Sequence, residues 1–174
     1  MKRYRLNENL LTERFVNLSN RDELSQYIDE IWDIMQESYK YLEGGFATAS
    51  SKEELLDKVS FAKLVKKNNK IVAACLYKDK NGRKSIAAGT DGSSEGKKWI
   101  MKLFQEDIKF GRSWGEVSGK AEHVKLKMGA VPIPNTMAAE LTGKEILSLD
   151  PDGFHYTRII GGQEVRKILV GNPQ

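Results

Sequence analysis

The chain of 174 residues is long enough for one domain with an ordinary core and too short for two well-packed ones. With 40% hydrophobic and 30% charged residues it carries enough apolar surface to offset the entropy of ordering, and a net charge of +4, both signs interspersed, is too dilute to mark a polyanion-binding domain by itself. No apolar run approaches the roughly 20 residues of a membrane span, Met1–Arg5 leads into polar sequence rather than a signal segment, and the single Cys75 excludes an internal disulfide and a thiolate metal cluster, so the expectation is one soluble domain over 1–174 in a reducing, cytoplasmic compartment.

In chain order, residues 14–18 alternate as a short strand, and Ser19-Asn20 offers side-chain oxygens to cap a helix. Leu24, Ile28, Ile31, Met35, Tyr39 and Leu42 then recur at spacings of three and four, which predicts one helical stripe ended by Gly44-Gly45. Ser50-Ser51 followed by Glu53-Glu54 marks a second, short helix start. Strand-like runs at 61–66, 71–77 and 85–90, joined by the turns Lys67-Asn68-Asn69-Lys70 and Asp79-Lys80-Asn81-Gly82, predict an antiparallel meander. After the loop 91–96 a helix carries Ile100, Leu103, Phe104 and Ile108 to a stop at Gly111. Next come a strand at 114–117, a helix at 119–128 and a strand at 130–133. The tail offers β-like runs at 145–149, 155–160 and 165–170, read as a terminal meander.

This order, with a core over about 12–134 and a C-terminal β extension over 135–174, resembles the GNAT N-acetyltransferases, and the resemblance implies an α/β (α+β) fold whose mixed, mostly antiparallel central sheet is flanked by helices. Two segments carry it. The loop Asp91-Gly92-Ser93-Ser94-Glu95-Gly96 is similar to the family's R/Q-x-x-G-x-G/A loop, whose backbone N–H groups and following helix bind a cofactor pyrophosphate. Gly92 and Gly96 match family glycines; Asp91 stands where the family has Arg or Gln and Ser94 where it has Gly. Asp91 and Glu95 repel a diphosphate unless Lys97 and Lys98 compensate. An ordinary strand-to-helix connection with Ser93 or Ser94 as N-cap accounts for the same residues. The second segment, Ala121 to Ala130, is similar to A-x-x-x-Y-x-K-x-G-F: Ala121, Lys127 and Gly129 are in register, Lys125 replaces the tyrosine acid, and Ser118 falls where Asn is common.

The resemblance implies transfer of an acetyl group from acetyl-CoA to a primary amine of a small molecule or a protein. It places the cofactor on Asp91–Gly96, Lys97 and Ser118, with backbone groups of Ile86, Ala87 and Ala88 on the thioester, and it admits a homodimer. The strand 85–90 contains no carboxylate for the amine's proton, so Glu116 is the candidate base, followed by Asp91; Lys125 is the candidate acid, or else a phosphate contact. Two other readings stand beside this one. A non-catalytic binding or structural protein of the same fold is compatible with Asp91, Ser94 and Lys125, and 152–158 with Gly161-Gly162 resembles phage-encoded members. A basic nucleic-acid-associated protein would use the lysine runs at 63–70 and 78–84, which with 120–127 otherwise read as solvated faces.

Other chemistry lacks material. His123 and His155 have no partner at metal-ligand spacing, so no metal site is expected; Cys75 reads as a small apolar residue in a buried strand, and Trp32, Trp99 and Trp114 as core or cleft walls. Residues 41–46, an aromatic loop with two glycines, could shield an acceptor site or simply stop a helix.

Overall fold

The computed structural model describes residues 15–42, 45–143 and 146–172. The expectations for Met1–Arg5, Arg14, Gly44 and Glu145 lie outside the described residues. Among the described residues are nine strands and five helices, and by its Cα packing the chain forms two compact units, one of Met1–Tyr77 with Ala87–Leu103 and one of Lys78–Ile86 with Phe104–Gln174.

In the first unit, β1 (Phe15–Leu18), β2 (Phe61–Lys67) and β3 (Lys70–Asp79) pair antiparallel in sequence order. Asn68 and Asn69 take φ of 51° and 63° in the β2–β3 turn, the left-handed backbone that asparagine tolerates. From Ile71 to Tyr77 every residue of β3 is buried, which is why that strand reads as an unbroken apolar run, and Cys75 lies within it. Helix α1 (Arg21–Tyr39) begins where Asn20 Oδ1 accepts the Glu23 N–H at 2.9 Å, and it buries Leu24, Ile31 and Met35. The expected stripe is one turn too long: the helix ends at Tyr39, before the glycines, and Leu42 is 58% exposed. Helix α2 (Lys52–Lys58) starts on Ser51, whose Oγ accepts the Glu54 N–H.

In the second unit, β4 (Arg83–Thr90), which ends in the first, pairs parallel with β5 (Ser113–Val117) over Arg83–Ser85 and Ser113–Gly115. The other described pairings are antiparallel: β9 (Gln163–Asn172) pairs with β5, β6 (Val131–Ile133) and β8 (His155–Ile160), and β8 with β7 (Ser148–Leu149). The tail is thus the expected meander. The β extension expected over 135–174 begins differently: residues 135–142 form helix α5 (Asn135–Thr142), entered through Pro134 and stopped at Gly143, and of the run expected at 145–149 the described residues form strand at Ser148–Leu149. Ala138 and Leu141 of α5 pack with Trp114, Ile133, Tyr156 and Leu169 on one side of the strands. On the other, Val117, Ala130, Ile168 and Val170 pack with Ile108 of α3 (Ser94–Phe110) and Leu126 of α4 (Lys120–Lys127). No described helix is long and apolar enough to cross a membrane.

Candidate functional site

The loop after β4 is built from its own residues. Helix α3 begins at Ser94, earlier than the Lys97 start expected, because Ser93 caps it: Ser93 Oγ accepts the Gly96 N–H at 3.0 Å. Asp91 Oδ1 in turn accepts the Ser93 N–H at 2.9 Å and the Ser93 hydroxyl at 2.5 Å. Gly92 takes φ of +83° and donates its N–H to Thr90 Oγ1. Gly96 is required for a different reason: a Cβ there would lie 2.4 Å from the Val72 carbonyl oxygen, so the glycine lets α3 start directly against β3. Glu95 is held by Lys67 at 2.5 Å, whereas Lys97 and Lys98, the compensating cations expected, are exposed. Upstream, Ala87 is buried, Ala88 N–H donates to Tyr39 Oη at 3.3 Å and Thr90 N–H to Ser38 Oγ at 2.9 Å. Burial raises the Tyr39 pKa, so its hydroxyl stays protonated while it accepts.

The second unit carries a polar cluster on the α5 side of its strands. Glu116 of β5 accepts from Lys84 Nζ at 3.0 Å, Tyr156 Oη at 2.9 Å and Arg158 Nη1 at 3.1 Å, with the Lys84, Glu116 and Arg158 side chains 10%, 9% and 13% exposed. Burial works to raise the Glu116 pKa, but the charges of Lys84 and Arg158 and the hydrogen bonds outweigh it and hold the carboxyl below its ordinary range. Burial and the Glu116 charge push the Tyr156 phenol well above its usual value, which keeps it a donor. Lys84 lies 5.0 Å above the Trp114 ring, and Trp114 Nε1 donates to the Lys80 carbonyl at 2.9 Å. Lys167 of β9 reaches Ser118 Oγ at 3.5 Å. Burial, helped by Arg158 and Lys84 against the attraction of Glu116, lowers the Lys167 pKa.

No family model and no curated protein sequence matches the chain, but solved structures do. It superposes on the ribosomal-protein-S18-alanine N-acetyltransferase of Escherichia coli with a TM-score of 0.54 at 13% identity, over 91% of this chain and 92% of that one. An N-acetyltransferase from Staphylococcus aureus Mu50 gives 0.55 at 10% identity over 91% and 95%, and an acetyltransferase of the GNAT family from Bacillus anthracis 0.51 at 10% over 90% and 93%. The chain has the GNAT fold.

On that fold the residues singled out from the sequence separate into distinct places. Asp91 to Gly96 form one self-bonded loop, and Ile86 is half-buried in β4. Glu116 and Lys125 do not meet: Lys125 Nζ lies 4.9 Å from the Phe104 ring and beside the Gly115 backbone, on the α4 side of β5, whereas Glu116 points to the α5 side. Ser118 joins the Glu116 side through Lys167. Phe46 of the loop 41–46, for which the sequence leaves both an acceptor-site shield and a plain helix stop open, is 8% exposed against Trp32 and Tyr39. The lysine runs are not wholly solvated faces: Lys63 and Lys66 lie over Tyr77 and Tyr27, Lys67 pairs with Glu95, and Lys84 is buried.

Sequence reasoning missed Lys84, Tyr156, Arg158 and Lys167. The available signal was Tyr156 and Arg158 on one face of a predicted strand and Lys167 just before Ile168-Leu169-Val170. It also missed that Asp152 and Glu122 grip His155 at 2.6 and 2.8 Å, and that Asp150, Asp152 and His155 bring possible ligand atoms within 4.8 Å of one another. Arg166 bridges Asp150 and Asp152 there, so this group is balanced by a cation of the chain itself.

Proposed function

We propose that the chain is an acyl-CoA-dependent N-acetyltransferase moving an acetyl group from acetyl-CoA to a primary amine of a small molecule or protein. The observation that carries this reading is the loop Asp91–Gly96, set between β4 and the start of α3 in a chain with the GNAT fold. The loop fits a diphosphate because it already holds an anion: the Asp91 carboxylate is the stand-in, accepting from Ser93 at the head of a helix. Acetyl-CoA, when bound, supplies the activated acetyl thioester. The chain's part is to give the N–H groups of Gly92, Ser93 and Gly96 to phosphate oxygens in place of Asp91, Thr90 and Ser93 side-chain oxygens. Lys97 and Lys98 add charge, and Lys67 keeps Glu95 from opposing it.

In this reading Glu116 organises Lys84, Arg158 and Tyr156 rather than taking the amine's proton, since a carboxylate held by two cations is a weak base. Lys125, above an aromatic ring, serves as a cation for cofactor phosphate rather than as the acid. Lys125→Ala is then expected to weaken cofactor binding by about 1 kcal/mol and leave turnover at saturation nearly intact; a fall of 10²-fold or more in kcat alone would make it the acid.

A second reading, a non-catalytic binding protein of this fold, is favoured by the fact that the Ala88 and Ser93 N–H groups are already bonded within the chain. Calorimetric titration with acetyl-CoA separates the two. We expect saturable binding with a dissociation constant of tens of micromolar, adding on the order of 2 kcal/mol of stability at about a millimolar. No heat and no stabilisation would leave the non-catalytic reading.

A further inference from the structure

The side chains around Glu116 hold more positive charge than they neutralise. Among the described residues three cations, Lys84, Arg158 and Lys167, share one face of neighbouring strands with a single carboxylate, and the Lys84 and Arg158 side chains are almost wholly withdrawn from water. The strand register explains how they converge. Lys84 is level with Trp114, two residues before Glu116 on the same face. Tyr156 lies directly opposite Lys167, which makes Arg158 the diagonal neighbour of Lys167. Glu116 faces Leu169, so Ser118 lies just past the end of the β5–β9 register beside Lys167.

The acceptor capacity of Glu116 is already committed: Oε1 to Lys84 and Arg158, Oε2 to Tyr156 and Arg158. Among the described residues Arg158 makes its bonds through Nη1 alone, which leaves the other edge of its planar fork to one side of the pair. Lys167 has only the long contact to Ser118 and, among the described residues, no ion pair. Withdrawing a cation from water without a counter-charge costs several kcal/mol, and a fold does not gather a surplus of such cations on one face without something to offset it.

We propose that Lys167, Ser118 and the outer edge of the Arg158 guanidinium form a binding site for a compact oxyanion, a carboxylate or a phosphate group carried by a small molecule. Glu116 and Tyr156 are its positioning residues: they fix Arg158 and Lys84 and take no part in contacting the anion. Arginine supplies a fork matched to two oxygens of either group, lysine a point charge, and serine a neutral donor. The site lies wholly within the second unit and does not depend on the acetyltransferase reading.

The test uses the full chain, inorganic phosphate and malonate as probes, and sodium chloride to hold ionic strength constant. One or both probes are expected to bind saturably in calorimetry and to raise the melting temperature above the chloride control; the tighter of the two identifies the group. Lys167→Met, which keeps the aliphatic stem, is expected to weaken that binding at least tenfold. It should also leave the ligand-free protein as stable as the parent or more so, because a surplus cation has been removed. A lysine with a purely structural role would cost stability instead. Equal effects of both probes and chloride, or undiminished binding by Lys167→Met, would overturn the proposal. The second outcome would put the anion elsewhere, such as the loop at Asp91. Acetyl-CoA binding is measured on the same variant, so failure here leaves the cofactor reading standing and failure there leaves this one.

Discussion

Asp91 and Glu116 are both carboxylates beside strands, and they are neutralised in opposite ways. Asp91 sits in an exposed loop and finds its donors two residues along, in the N–H and hydroxyl of Ser93. Glu116 sits among strands and finds its donors 32, 40 and 42 residues away, in Lys84, Tyr156 and Arg158. The first arrangement is local, wet and replaceable, so an incoming anion can take it over at little cost. The second is assembled only once β4, β5, β8 and β9 are in register, so it is part of what holds that register. If this contrast is right, the two sites should respond very differently to the same kind of damage.

The largest effect is expected at Glu116. Glu116→Ala strips the shared partner from nearly buried cations and should cost about 3–5 kcal/mol in urea unfolding, the usual penalty for breaking a buried pair from one side. Asp91→Ala should cost about 1 kcal/mol, as for one exposed turn or cap hydrogen bond. Losses of similar size at both positions would show that the two carboxylates are equally embedded in the fold. Adding Lys84→Met to Glu116→Ala should return part of the loss, since it removes one stranded cation.

Next in size is Gly96. A side chain there meets the Val72 carbonyl, which is backbone and cannot swing aside, so Gly96→Val should lose about 1–3 kcal/mol and displace the head of α3. Loss of acetyl-CoA binding beyond what the stability change explains would show that the loop needs the helix start at that distance from β3; unchanged binding would separate the two.

Asp91→Asn probes the same loop without breaking it. The amide oxygen still accepts from Ser93, but the charge that a diphosphate must displace is gone, so acetyl-CoA should bind tighter by about 1 kcal/mol, roughly fivefold. Unchanged or weaker binding would mean that Asp91 does not stand where the phosphates go.

How much of this could be read from the sequence obeys the same division between local and distant. The β2–β3 turn at Asn68-Asn69, the caps at Asn20 and Ser51, and the loop from Asp91 to Gly96 depend on neighbours within a few residues, and each was legible. The GNAT order of elements was legible because hydrophobic period changes along the chain. Helix α5 is not evident from the sequence pattern, although Pro134 and Gly143 flank it, because eight residues are too short to display a helical period and its buried face mixes Ala138 and Leu141 with the polar Asn135 and Thr142. The Glu116 cluster was illegible beyond Glu116 itself. Lys84 looked like part of a solvated hairpin end, and only the parallel register with Trp114 turns it inward. That Lys125 and Glu116 lie on opposite sides of β5 is likewise a consequence of packing, since spacing alone cannot say which side α4 takes.

The smallest effect, and the one with a sign to be worked out, belongs to His155. Burial acts to lower its pKa, but the Glu122 and Asp152 carboxylates on its two ring nitrogens outweigh burial and hold it above the ordinary value of 6.5. A raised folded-state pKa means that the folded protein binds the proton more tightly than the unfolded chain. The stabilisation is therefore complete below about pH 6.5, declines as pH rises past that value, and is gone once pH exceeds the folded pKa. The partner Asp152 behaves oppositely: hydrogen bonds from the Phe154 and His155 N–H groups bring its pKa to about 2, so its contribution is present above the ordinary 3.8 and is lost as pH falls from there through about 2. Chemical denaturation across pH 3 to 9 should show a fall on the acid side from groups such as Asp152 and a separate, shallow fall above about pH 6.5. His155→Gln should abolish the second and spare the first, and it should not touch the Asp91 loop, which contains no histidine. If the shallow fall survives the substitution, His155 is not its source, and the grip of Glu122 and Asp152 on that ring does not contribute measurably to holding α4 against the β8 turn.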